Sequence, residues 1–205
     1  MATTKPDEYS DMYFDVLREI SNIGTGNATS ALSMLMDIDV DIDVPVTETV
    51  DFDSMAGILG GKEELAVAVL IGLSGDIDGM MMFLLDKHSA DRIINGVQGK
   101  PEAGDISEYS EMDMSAMTEV GNILTGSYLA AISKYTGLTI VASVPQVAVD
   151  MAGAILDIPV SIYGSISDSV LLVQSKITNQ YLSSEGYFLL IPTLESVDKL
   201  YKLLS

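Results

Sequence analysis

Glu19–Ser33 reads EISNIGTGNATSALS, and Glu119–Ser133 reads EVGNILTGSYLAAIS. The stretches lie 100 residues apart and align without a gap. They are identical at seven of fifteen positions: Glu19/Glu119, Asn22/Asn122, Ile23/Ile123, Thr25/Thr125, Gly26/Gly126, Ala31/Ala131 and Ser33/Ser133. Two of the shared residues, Glu and Asn, are polar and three apart. A repeat that keeps a polar pair points to a duplicated site as well as a duplicated scaffold.

The similarity extends outward. Val44-Pro45-Val46 returns as Val144-Pro145-Gln146 at the same offset, and Gly79–Val97 aligns with Gly186–Leu204 at offset 107. The units follow the same order in both halves. A unit this long is no solenoid repeat, since those run about 20–50 residues. The sequence therefore predicts one α+β domain of two repeats, about 8–100 and about 106–205, related by a pseudo-two-fold.

Each repeat has the same coarse grammar. A long helix comes first, about 9–36 and about 107–135, with apolar residues at helical spacing (Phe14, Leu17, Ile20, Ile23; Met117, Val120, Leu124, Tyr128). Gly137 is a helix stop. Val40–Val50 alternates apolar and acidic residues, as a half-buried strand does, and Leu138–Val144 is similar. Short helices are expected near 54–59 and 150–156. Apolar hairpins follow, about 64–85 and about 169–191, and an amphipathic helix closes each half. The halves are expected to share a continuous, mostly antiparallel sheet with one wet face, flanked by the two long motif-bearing helices and the shorter ones.

Composition narrows the function. Thirty acids against ten Lys+Arg give a net charge of −20. Nucleic acid and anionic membrane surfaces both demand cationic side chains, so neither is an expected partner. No apolar run reaches the roughly 18 residues of a membrane span. The N-terminal MATTKPDEYSDMY lacks the basic and apolar regions of a secretory signal. There is no cysteine. A cytoplasmic protein is expected. The chain has a single histidine, His88, so no Ser-His-Asp triad is expected and no multi-histidine metal site can form. Gly24-Thr25-Gly26 lacks the lysine and the preceding strand of a phosphate-binding loop.

On a helix, residues three apart share a face, about 60° apart. Glu19 and Asn22 can address one external object, as can Glu119 and Asn122. One turn earlier stand Asp15 and Ser115. A carboxylate can pair with a cation on a partner, and an amide can hold a water without adding charge. Phosphoryl hydrolysis needs little more when metal and electrostatics are supplied elsewhere, and a glutamine orients the water in signalling GTPases. From the residues alone a plainer reading also stands: the pair is the solvated face of an amphipathic helix, or the amide a repeated packing hydrogen bond.

The double pattern Asp15-x-x-x-Glu19-x-x-Asn22 and Ser115-x-x-x-Glu119-x-x-Asn122, with the stretch VPQVAVDMAGAI from Val144 to Ile155, resembles the chemotaxis phosphatases CheC, CheX and FliY over essentially the whole chain. Two intact ridges match the CheC type. That resemblance implies a phosphatase acting on the aspartyl phosphate of a CheY-type response regulator, which carries its own Mg²⁺. The chain itself then needs no cofactor and no metal. Asn22 and Asn122 would orient the attacking water, and Glu19 and Glu119 would dock to the regulator's lysine. The same resemblance implies a monomer that also binds CheD, with Asp150 as the contact. The alternative for Asp150 is a helix N-cap before Met151. The competing functions are a CheD-binding adaptor that senses phosphorylated regulator with little turnover, and a structural flagellar-switch component.

Overall fold

The two quoted stretches occupy helices of equal length, displaced by 100 residues at both ends. A computed structural model describes residues 11–163, 169–178 and 183–204. In chain order the elements are α1 (Asp11–Met36), β1 (Asp41–Asp51), α2 (Phe52–Ile58), β2 (Leu65–Gly75), β3 (Gly79–Asp86), α3 (Lys87–Val97), α4 (Glu111–Thr136), β4 (Ile140–Ala142), β5 (Gln146–Met151), α5 (Ala152–Leu156), α6 (Ile158–Tyr163), β6 (Ser169–Thr178), β7 (Ser183–Pro192) and α7 (Leu194–Leu204). The expected start of α1 at residue 9 lies outside the described residues.

The sheet order is β1-β6-β7-β3-β2-β4, with β5 also paired to β2. Every pairing is antiparallel. If each element is exchanged for its counterpart (β1 for β4 and β5, β2 for β6, β3 for β7), the order reads the same from the other end. In the central β3–β7 pair, Met82 stands opposite Leu189, its own counterpart at offset 107. The first strand of each repeat crosses to the other repeat's hairpin: β1 pairs with β6, and β5 with β2. The two segments thus complete each other's sheet. The helix caps follow the same relation. Asp86 accepts the Ser89 amide at the start of α3, and Thr193 accepts the Ser196 amide at the start of α7.

One expectation is corrected. The sheet has no wet face across its centre, because Ala66–Ile71 of β2 and Gly79–Leu85 of β3 are buried throughout. On one side α1, α3, α4 and α7 enclose a core that includes Leu32, Ile71, Phe83, Ile93, Leu124, Phe188 and Leu200. On the other, α2 and α5 cover Met82, Leu84 and Leu189 with Met55, Ala56 and Ile155. Uninterrupted apolar runs are the mark of strands buried on both faces. The acidic–apolar alternation holds in β1, where Asp41 and Asp43 are exposed and Ile42 is buried.

Proline sets the other differences. Lacking an N–H, it cannot donate to a ladder. At Pro45 the β1 register shifts between Asp43 and Val46. At Pro145 the ladder breaks: the expected strand over 138–144 is the short β4, and beyond the proline a separate strand, β5, follows that the sequence did not lead one to expect. The start of α4 falls at Glu111 rather than near 107, because Ser110 and Asp113 form a reciprocal capping box.

Candidate functional site

Glu19, Asn22 and Asp15 are exposed on α1, and Glu119, Asn122 and Ser115 are exposed on α4. The structure therefore presents each triplet to solvent as one ridge, spanning about 10 Å at 1.5 Å per residue. No side-chain hydrogen bond within the chain engages either asparagine among the described contacts, so the amides are not packing struts between helices.

What lies beneath holds the ridges in place. α1 and α4 pack directly on each other, with Gly24 against Tyr128: a Cβ on Gly24 would sit 3.1 Å from the Tyr128 Cα. Tyr128 is buried, stacks at a tilt on Phe188 with centroids 4.6 Å apart, and shares hydrogen bonds with Thr25 Oγ1 (3.0 Å) and Ser175 Oγ (3.4 Å). Burial pushes the Tyr128 phenol above the ordinary tyrosine range, and the two hydroxyl contacts oppose that shift. Gly121 lets α4 settle on β2, since a Cβ there would come within 2.4 Å of Val69 Cγ1. Such contacts fix the rotation of each helix about its axis, and so the direction in which Glu and Asn project.

The start of α4 is anchored further. Asp113 Oδ2 accepts the Ser110 amide at 2.7 Å, and Asp113 Oδ1 accepts from Gln98 Nε2 at 2.6 Å. Hydrogen bonds led by the Ser110 side chain hold the Asp113 carboxyl below its usual range. Buried Asp91 ties down the α3–α4 connection by accepting from Lys87 Nζ (2.6 Å), the Ile106 amide (3.1 Å) and Tyr109 Oη (2.6 Å). At the other end Gly137 closes α4 with φ 74°, and Asp37 fills the equivalent left-handed position after α1 with φ 54°.

The ridges differ at their first step. Asp15 accepts from Arg18 Nη1 at 3.2 Å in an exposed pair. The equivalent of Arg18 is Thr118, whose hydroxyl bonds back to the Met114 carbonyl at 2.8 Å. Arg18 is four residues before Asn22 and shares its face. The sequence reading passed over it, although it is one of only two arginines in the chain. The two motif glycines separate as well. Gly24 serves a close helix contact, whereas Gly26 and Gly126 are exposed and a Cβ on either meets nothing within 4 Å among the described residues beyond its own helix backbone.

Asp150 is not brought to the ridges. Along β5, Val147 and Val149 pack toward the layer of α1 and α4, and Ala148 toward the opposite layer. Strand alternation therefore directs Asp150 to the α5 side. It is exposed, accepts the Met151 amide at 2.7 Å, and is not the helix cap, because Met151 occupies that position without a side-chain bond. No helix among the described residues is long and apolar enough to cross a membrane.

Comparison with known proteins agrees with this geometry. Residues 12–48, which carry the first ridge, match the CheC-like family. Residues 67–168, which carry the second, match the chemotaxis phosphatase CheX family. The chain is 32% identical to the CheY-P phosphatase CheC of Bacillus subtilis, over 91% of each chain. Its fold is that of Thermotoga maritima FliY, with a TM-score of 0.76, 23% identity and coverage of 96% of this chain and 98% of that one. The CheX structure from Desulfovibrio desulfuricans superposes with a TM-score of 0.52 at 16% identity, covering 84% and 99%. The chain belongs to the CheC-type family of chemotaxis phosphatases, the group of CheC, CheX and FliY.

Proposed function

We propose that the chain hydrolyses the aspartyl phosphate of a CheY-type response regulator, and that each ridge is a complete site for doing so. The observation that carries this reading is the paired exposure of Glu19 with Asn22 and Glu119 with Asn122, on equivalent faces of two helices of equal length. Exposure suits a site that must enter another protein's recess. The relative from Bacillus subtilis, a CheY-P phosphatase by name, supports the choice of substrate.

In this mechanism the glutamate pairs with a lysine of the regulator and fixes the register of the helix. The asparagine amide holds a water in line with the phosphorus. A bond from the water oxygen to phosphorus forms as the bond from phosphorus to the aspartate carboxylate breaks. The carboxylate leaves as a free anion, and inorganic phosphate keeps the oxygen and both protons of the water. The regulator brings its own Mg²⁺, and the chain contributes position. Asp150, facing away from both ridges, is our candidate contact for CheD. A partner bound there leaves the ridges accessible, so Asp150→Lys should abolish CheD binding and spare phosphate release. Loss of both together would discard a separate surface.

The two roles separate kinetically. Phosphate release from a phosphorylated regulator is followed as a function of regulator concentration. Asn22→Ala with Asn122→Ala should lower kcat with little change in half-saturation. Glu19→Ala with Glu119→Ala should raise half-saturation strongly. Wild-type protein that leaves the regulator's own rate unchanged would end the phosphatase reading.

A further inference from the structure

Gly26 and Gly126 stand one turn beyond Asn22 and Asn122 on the same ridges. Both are helix-interior and exposed. Glycine at such a position is disfavoured against alanine, because it loses more backbone freedom on folding. Other glycines of these helices have an internal reason: Gly24 admits Tyr128, and Gly121 admits Val69. For Gly26 and Gly126 no such neighbour exists among the described residues, since an added methyl would meet nothing within 4 Å beyond the backbone of its own helix. Both repeats nevertheless carry glycine at the same step after asparagine.

We infer that Gly26 and Gly126 are positioning residues that keep the helix bare beside each asparagine, so that main chain of the phosphorylated regulator can lie against it. The inference rests on the phosphatase reading and names what sets the depth of approach. An asparagine amide reaches only roughly 4 Å beyond its Cα. Side chains on a helix stand about 3 Å outside the Cα cylinder, as the difference between a radius of about 2.3 Å and an envelope of about 5–6 Å. A side chain next to asparagine on the ridge would hold a partner off by nearly the distance the amide must cover. On the N-terminal side the neighbour is a long, flexible glutamate that itself engages the partner. On the C-terminal side the ridge is reduced to backbone. Solvent alone gives no reason for this, since water accommodates alanine as readily as glycine. The occupant is therefore the rim of the partner's phosphorylation site, approaching closely enough that a methyl group intervenes.

The test compares stability with turnover in Gly26→Ala/Gly126→Ala and in Gly26→Leu/Gly126→Leu. Both replacements favour the helix. Thermal unfolding is measured beside phosphate release from a CheY-type regulator loaded with a small-molecule phosphodonor, and beside affinity for that regulator bound to beryllofluoride. Each alanine should leave Tm unchanged or raise it by about 2–4 °C. At the same time kcat/KM should fall at least tenfold, and further with leucine, since misplacement by about 1 Å can cost 10²-fold. Unchanged turnover and affinity in both variants would overturn the inference while leaving the Glu and Asn roles standing. A lower Tm accompanying the loss would also overturn it, because the glycines would then serve the fold. Wild type without acceleration removes the phosphatase reading and this inference with it, whereas an Asn22→Ala/Asn122→Ala chain with wild-type turnover removes the asparagine role and, with it, the reason to keep the helix bare.

Discussion

The motif positions on the outward faces of α1 and α4 are alike, and the positions where the two helices meet inside are not. Outside, Glu, Asn and Gly recur at 19/119, 22/122 and 26/126, all exposed. Inside, Gly24 corresponds to Leu124, Ala28 to Tyr128 and Ser21 to Gly121, all buried. Where two related helices cross at a pseudo-two-fold, two copies of one bulky residue would compete for the same space. Close packing is satisfied instead by small residues on one helix and large ones on the other. A surface that meets an external partner has no such constraint, so what is kept there reports what the partner requires. Asp15 with Arg18, against Ser115 with Thr118, is the difference on the ridges themselves, and it makes the first ridge the more charged of the two.

This comparison can be broken from the inside. Tyr128→Ala would give α4 the small residue of α1 and leave the crossing without its bulk, its ring contact with Phe188 and its hydroxyl network. A loss of about 3–5 kcal/mol is expected in denaturant unfolding. A loss below 1 kcal/mol would mean the two inward faces are interchangeable. The threonines sharpen the same point on a smaller scale. Thr25 Oγ1 has Tyr128 as its partner, but the equivalent of Tyr128 opposite Thr125 is Ala28, and buried Thr125 Oγ1 is without a hydrogen bond among the described residues. Thr125→Val should therefore stabilise by about 1 kcal/mol, and Thr25→Val should destabilise by about as much. Shifts of the same sign at both positions would contradict the asymmetry.

Much of this architecture is legible in the sequence, for definite reasons. The long helices declare themselves through apolar spacing and a repeat without gaps, and the sheet through apolar runs. The second covered face is harder to see. It depends on α2 and α5, two short helices that are expected near 54–59 and 150–156 but that no local pattern assigns to a side of the sheet, and the alternation in β1 gives the impression of a wet side. The separate β5 is hidden because Pro145 interrupts the strand. Exchange of first strands between repeats is a long-range pairing that no local pattern encodes. At the site, Glu19, Asn22, Glu119 and Asn122 are visible because they recur as polar residues at one offset. Gly26 and Gly126 recur too, yet the sequence does not say what either one meets, and only the open space above them among the described residues separates them from Gly24. Arg18 has no counterpart in the second repeat and so leaves no repeat signal.

The central claim is that two equivalent ridges each carry out hydrolysis through their asparagine. Phosphate release measured under saturating phosphorylated regulator for wild type, Asn22→Ala, Asn122→Ala and the double variant tests it most directly. Each single variant should retain part of the rate, the two residual rates should sum to that of wild type, and the double variant should fall to the regulator's own spontaneous rate. A double variant that still turns over like wild type would contradict it.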